Sequence, residues 1–383
     1  MREDDGRIFG EGMMRVKAAV LRGVREPYTI EELELEPPKL GEVLVKYTHC
    51  GYCHSDYSVV TGGIPSVFPV VAGHECAGIV EEVGPGVTRV KKGDHVVGTF
   101  SVPCGKCSYC QSGELNLCGP GNPYVAGGTL LDGTTRFKDR KGNALHHTLF
   151  LSGFSTHGIV PEDGLIPVPQ DLPLEKACLL SCCVPTGWGA VTNIANVKPG
   201  ESVAVYGLGG VGLNVLRAAA VRQAYPLIAI DLEEDKESLA YEFGATHFIC
   251  NAKEDPVPRI QALTGKGARF VFEVIGDSGA VVQALWSTCI GGHVIAVGVT
   301  PISETATVPL FLVTLHQKAI LGTIYGGTMP QVDIPRFARM AAQPDLLKLD
   351  KLITNKFRLE QINDVVDAMA RRQIKGRWVC ELE

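Results

Sequence analysis

Apolar positions along the chain follow two rhythms, and the change falls near Pro185. Before it, short runs rich in Val and Ile are broken by Gly and Pro, as in 16–21 (VKAAVL), 41–52 (GEVLVKYTHCGY), 77–84 (AGIVEEVG) and 94–100 (DHVVGTF). Glycine turns recur between them, at 84–86 and 92–94. This pattern predicts an all-β region of barrel type. Residues 101–150 have little periodicity and many Cys, Gly and Pro residues, so they read as loops held by something other than a core.

After Pro185 buried strands alternate with helices. Strand-like runs stand at 202–207 (SVAVYG), 226–231 (PLIAID), 247–250 (HFIC), 269–276 (RFVFEVIG), 293–299 (HVIAVGV) and 319–326 (AILGTIYG). Helical stretches, 213–222 and 236–243 among them, lie between several of these. Such alternation predicts a parallel sheet covered on both faces. The last stretch offers a helix at 362–371 and a strand at 377–382 (RWVCEL), assigned back to the first domain. The expected class is therefore α/β, with a β domain over 1–184, a parallel doubly wound domain over 185–326 and a returning segment over 327–383.

Composition narrows the function. At 383 residues and 45% hydrophobic, the chain is long enough for two cored domains. Its net charge of −6 forms no basic face for nucleic acid, and no apolar run approaches a membrane span. The polar, acidic stretch 1–14 is no secretion signal, so a cytoplasmic protein is expected. Its early residues read as a disordered extension, with Met13 or Met14 as an alternative start. In a reducing compartment thirteen cysteines point to metal or catalysis rather than disulfides. Cys50, Cys76, Cys178, Cys250, Cys289 and Cys380 sit singly in apolar surroundings and read as packed residues; Cys183 is undecided.

Cys104, Cys107, Cys110 and Cys118 form a C-x2-C-x2-C-x7-C run inside a lobe at 101–120. Short turns let four thiolates converge on one tetrahedral zinc, closed and therefore structural; an iron–sulfur cluster is the rival. Cys53 and His74, in GYCHSD and GHE, and Cys182, in SCCVPTGWG, are candidates for a second metal. Two Cys and one His would leave a zinc with one open position, the stoichiometry of a catalytic site. Asp56 is a candidate to orient His74, and Glu75 to stand behind the metal and ligate it transiently. Each of these residues, taken singly, also reads as a packed or solvated side chain.

The run VAVYGLGGVG places G-x-G-x-x-G at Gly207, Gly209 and Gly212, with Gly210 and Val211 inside it, after a strand and at a helix start. That context is the phosphate-binding turn of a dinucleotide site. Asp231 ends the next strand, where a carboxylate accepts bonds from ribose hydroxyls and repels a 2′-phosphate, so NAD is expected over NADP. Lys236 reads either as a ribose contact or as an exposed helical lysine.

Together with DGTTRF, FSTHGIV and PTGWGA, these motifs resemble the zinc-containing medium-chain alcohol dehydrogenases over nearly the whole chain, from about Val16 to Leu382. The stretch 118–147 resembles the long loop of the liver-type branch, and PTGWG and LHQKAILG resemble bacterial members acting on bulky or aromatic alcohols. The resemblance implies a GroES-like β domain around an inserted Rossmann domain, two zincs per chain, NAD, a small alcohol or aldehyde as substrate, and a homodimer or homotetramer. It implies that Cys53, His74 and Cys182 hold the catalytic zinc, with Asp56 and Glu75 behind them, and that Ser55 takes the substrate proton. It places His54 against the cofactor pyrophosphate, Thr186 and Val211 on the nicotinamide side, and Asp231, Lys236 and Arg377 at ribose and phosphate; Val297 and Val299, at the end of the strand expected beside the nicotinamide, read either as cofactor contacts or as core. Ile64 and Phe100 would line the substrate pocket. Ser58 stands where liver enzymes carry a relay histidine. Asn122 and Ile64 replace residues that glutathione-dependent formaldehyde dehydrogenases use, which disfavours S-hydroxymethylglutathione. A nicotinoprotein or formaldehyde dismutase, which never releases its NAD, is the alternative.

Overall fold

A computed structural model of the chain describes residues 12–122 and 127–382. The extension expected to be disordered lies almost wholly outside them.

The first half is β, as its short apolar runs require. Its strands are β1 (Met14–Leu21), β2 (Thr29–Leu35), β3 (Glu42–Tyr52), β4 (Val70–Val71), β5 (Glu75–Val83), β6 (His95–Gly98), β7 (Phe137–Lys138), β8 (Ala144–His147), β9 (His157–Pro161) and β10 (Leu165–Pro167). Five of them close a barrel in the order β1-β2-β7-β8-β4. The second half supplies β11 (Val203–Tyr206), β12 (Leu227–Asp231), β13 (His247–Cys250), β14 (Ala268–Glu273), β15 (Thr288–Ala296) and β16 (Ala319–Gly322). These form one parallel sheet in the order β13-β12-β11-β14-β15-β16. Strand order reverses between β11 and β14, which opens a crevice at the carboxyl ends of the strands.

The chain then returns. Strands β17 (Ile353–Arg358) and β18 (Arg377–Glu381) extend the sheet β10-β6-β5-β3-β18-β17, with β9 also paired to β3. β18 runs antiparallel to β3, with Trp378 opposite Tyr52 and Cys380 opposite Cys50. Cys50 in turn faces Cys76 on β5, so three thiols lie in a row across three buried strands.

Two local readings shift. The helix expected at 213–222 spans Gly210–Val221, because the glycine turn is itself the first helical turn. The change of rhythm near Pro185 falls inside the helix Cys183–Gly189, where proline occupies the first turn and costs no helical hydrogen bond. Cys183 and Trp188 of that helix belong to one continuous core that runs from Ala77 on β5 and Val97 on β6 to Val205 and Phe272 of the parallel sheet.

The loop-rich stretch after the four cysteines is held by a charge. Arg136 is fully buried and binds Glu42 twice, at 2.9 and 2.5 Å, and Asp132 at 2.7 Å. Its amide also donates to Nε2 of buried His147 at 3.1 Å. Nδ1 of that ring must then carry the proton and donate to Ser152 Oγ, 3.2 Å away. Burial, with the Arg136 cation alongside, pushes the His147 pKa down from 6.5 to about 3.

Two outcomes follow from this loop. Arg136→Ala leaves the Glu42 charge buried and unpaired, and denaturant titration should show a loss of about 3–5 kcal/mol. Removing the solvent-exposed pair Lys253–Glu234 should shift the denaturant midpoint far less. His147 is neutral in the fold and protonates in the unfolded chain below 6.5. Its stabilisation is complete above pH 6.5 and falls by about 1.4 kcal/mol per pH unit below it. Urea midpoints at pH 7 and pH 5 should therefore separate more in the wild type than in His147→Gln.

Candidate active site

Three turns deliver the reactive side chains. β3 ends at Tyr52, and Cys53 caps the helix His54–Thr61, its amide donating to Asp56 Oδ2 at 3.0 Å. His74 follows Gly73, whose positive φ of 95° and missing side chain let the backbone of Phe154 approach. Cys182 joins the turn Cys178–Ser181 to the helix Cys183–Gly189. Ligand atoms of Cys53, His74, Glu75 and Cys182 all lie within 4.8 Å of one another, and all four residues are buried.

Asp56 fixes the histidine. Its Oδ1 accepts from His74 Nδ1 at 3.0 Å, which leaves Nε2 as the free donor atom. Burial opposes protonation of His74, but Asp56 and Cys53 outweigh it and hold the ring well above its ordinary pKa. The hydrogen bond with Cys182 overcomes burial and draws Cys53 well below the thiol range, while Cys182 is pushed up. Behind them Arg377 Nη2 donates to Glu75 Oε1 at 2.8 Å and lies 3.8 Å from Cys53 Sγ. Glu75 Oε2 is buried with no hydrogen-bond partner, and burial raises this acid to about 7 against the opposing pull of Arg377. Two thiols and one oriented imidazole fit a four-coordinate zinc with one open position, and the orphaned carboxylate oxygen of Glu75 stands close enough to exchange into it.

Sulfurs of Cys104, Cys107, Cys110 and Cys118 also lie within 4.8 Å of one another. Amides of Cys104 and Gly121 donate to Cys118 Sγ, both at 3.3 Å, and backbone amides at Lys106 and Cys107 draw Cys104 down to about 6. This donor set is closed and suits a structural tetrahedral metal.

Two cavities meet the Cys53 turn. One, of about 240 Å³, is lined by Cys53, His54, the turn Gly207–Gly212, Asp231, Lys236 and Arg377. A side chain at Gly212 would strike Gly207 O at 1.9 Å, whereas one at Gly209 would meet only open space, where a bound group can reach the backbone. Asp231 accepts from the Leu208 amide at 2.8 Å and pairs with Lys236 at 3.0 Å. Lys236 is thus a carboxylate partner rather than a free surface lysine. Thr186 stands beside Cys182, 3.9 Å from its sulfur. Val297 and Val299 do not line this cavity; Val299 packs its backbone on Gly276. Val274, Ile275 and Arg372 do line it and escaped the sequence reading, although their places after a strand end and beside Arg377 were a usable signal.

The other cavity, of about 370 Å³, is lined by Ser55, Ile64, His74 and the apolar Val59, Val67 and Leu149, with no Lys or Arg among the described residues. Ser55 Oγ is 3.8 Å from Cys53 Sγ. Phe100 lies outside the lining; its ring packs against His74 and Tyr325.

Residues 39–170 match the alcohol dehydrogenase GroES-like domain and residues 210–343 the zinc-binding dehydrogenase domain. The chain is 40% identical to an NDMA-dependent alcohol dehydrogenase of Amycolatopsis methanolica, over 92% of this chain and 95% of that protein. It is 38% identical to an S-(hydroxymethyl)glutathione dehydrogenase of Aspergillus oryzae, over 94% of each. Its structure superimposes on benzyl alcohol dehydrogenase from Acinetobacter calcoaceticus with a TM-score of 0.89 and 31% identity, covering 97% of this chain and all of that one. Among the described residues no single helix is long and apolar enough to cross a membrane.

Asp56→Asn keeps the size of the side chain but removes the charge that orients His74. Zinc affinity measured by competitive chelation should fall about 10–100-fold at the Cys53–His74–Cys182 group and stay unchanged at the four cysteines.

Proposed function

This chain belongs to the alcohol dehydrogenases built from a GroES-like and a zinc-binding dehydrogenase domain, and on that premise we propose that it oxidises primary and secondary alcohols to aldehydes and ketones, reversibly, with zinc and NAD. The observation that carries this reading is the open Cys53–His74–Cys182 group at the junction of a glycine-lined cavity and an apolar one. Bound there, zinc would polarise the alcohol oxygen and NAD would accept the hydride.

The protein's own groups supply the rest. Ser55 lines the substrate cavity beside Cys53 and takes the substrate proton, which then leaves without a histidine at Ser58. Asp231 presents its carboxylate to the adenosine ribose and disfavours a 2′-phosphate. Arg372 and Arg377 bring positive charge to the cofactor diphosphate, and His54, whose pKa burial lowers, offers it a neutral ring N–H. The lobe cysteines hold a second, structural zinc. Apolar walls without a cation favour an uncharged, bulky or aromatic alcohol over a glutathione adduct. The working division of the chain is 1–184, 185–326 and 327–383.

A second reading rests on the NDMA-dependent relative: NAD stays bound through every turnover. Protein denatured after dialysis should release no nucleotide if NAD is a dissociable substrate, and about one per chain if it is not. Metal analysis should give two zincs per chain, and alcohols from ethanol to benzyl alcohol should be turned over. Full alcohol oxidation by Cys53→Ala would sink the zinc mechanism.

The free edge β16 exposes Leu321, and Leu310, Phe311 and Leu315 just before it are exposed as well. This apolar edge supports self-association into a homodimer or homotetramer. Light scattering should show an oligomer for the wild type and a shift toward monomer for Phe311→Glu.

A further inference from the structure

Ser181 precedes the ligand Cys182, and its carbonyl has a problem written into the sequence. Cys182, at φ −141° and ψ −68°, breaks the helical path after Ser181, and the residue four on, Pro185, has no amide to offer that carbonyl. The next carbonyl is served normally, by the Thr186 amide at 3.0 Å. A donor for Ser181 comes instead from the other half of the chain: the Tyr325 hydroxyl reaches its carbonyl at 2.5 Å, and both residues are buried.

Tyr325 holds a positive φ of 56°, a conformation that residues other than glycine keep only when their surroundings over-determine it. The surroundings do. Thr328 Oγ1 donates to Pro185 O at 3.1 Å, Asn193 Nδ2 to Gly327 O at 3.2 Å, and Asn116, beside the last lobe cysteine, to Ile324 O at 3.2 Å. Gly326 lies flat on the helix Cys183–Gly189, where a side chain would strike Pro185 O and Thr186 O. The ring of Tyr325 packs on Phe100 with centroids 4.3 Å apart, and Phe100 packs on His74. Ser181 extends the tie, because its Oγ lies 2.9 Å from His74 O and 2.6 Å from Gly98 O.

We propose that Tyr325 is a positioning residue for the reactive metal: its hydroxyl supplies the donor that the Ser181 carbonyl lacks at the break before the helix, and so fixes Cys182 relative to His74. The proposal rests on the zinc reading above. It assigns a role in the first metal site to a residue that follows the last strand of the second sheet.

The test uses zinc-loaded, full-length protein and a colorimetric chelator that reports release from each of the two sites over time. Tyr325→Phe keeps the ring and removes the hydroxyl. Zinc should leave the Cys53–His74–Cys182 group about tenfold faster, with release from the four cysteines unchanged. The cobalt-substituted triad should show a shifted visible band. Wild-type release rates and an unshifted cobalt band in Tyr325→Phe would overturn the proposal. A Ser181→Ala variant gives a second arm: unchanged release there as well as in Tyr325→Phe excludes the whole network. Wild-type protein that takes up zinc only at the four cysteines would instead overturn the functional reading on which the proposal stands.

Discussion

The buried pair of Arg377 and Glu75 is the interaction on which the rest of the site depends. Both side chains are buried, and such a pair persists only when its geometry is fixed from both sides. Glu75 is fixed as the first residue of β5, and Arg377 as the first of β18. The antiparallel register of β18 on β3 brings them together beside Cys53. The same arginine packs its guanidinium on Gly210 of the phosphate-binding turn. One cation therefore touches the metal group, the cofactor cavity and the joint between the two ends of the chain.

Much of this was legible in the sequence, for definite physical reasons. Alternation of short β runs and of strand–helix pairs is a local signal, and both sheets obey it. The four lobe cysteines converge because their spacing leaves them little else to do. Cys53, His74 and Cys182 are far apart in sequence, and motif resemblance rather than spacing joined them. What the sequence hid is long-range and mutual. Nothing local to Arg377 says that it pairs with Glu75, and nothing local to Lys236 says that it neutralises Asp231. The family resemblance put Phe100 in the pocket lining, yet its ring packs against His74 and Tyr325 outside that lining. Arg136 sat in a recognisable motif whose purpose appears only when Glu42 is seen beside it.

The two cavities divide the chemistry by polarity. The glycine-lined one sets Arg372 and Arg377 beside a backbone open to approach, which suits a charged diphosphate. The other offers aliphatic walls and a few hydroxyl and imidazole groups, which suits a neutral substrate. The thiols and imidazole stand between them. The two linings share no residue, so the polar and the apolar surface are built separately on either side of the metal group.

The pairing of β18 with β3 also sets an order of events during synthesis. The lobe cysteines lie within a single short stretch and can gather a metal while most of the chain is still being made. The six-stranded sheet is complete once β16 has emerged from the ribosome. Arg377 comes later still, so until then the Glu75 carboxylate faces the metal ligands without its partner. A nascent or prematurely released chain can thus own both a finished lobe and a finished nucleotide fold while its reactive centre stays unassembled. Synthesis itself delays the appearance of a working site until the last strand is in place.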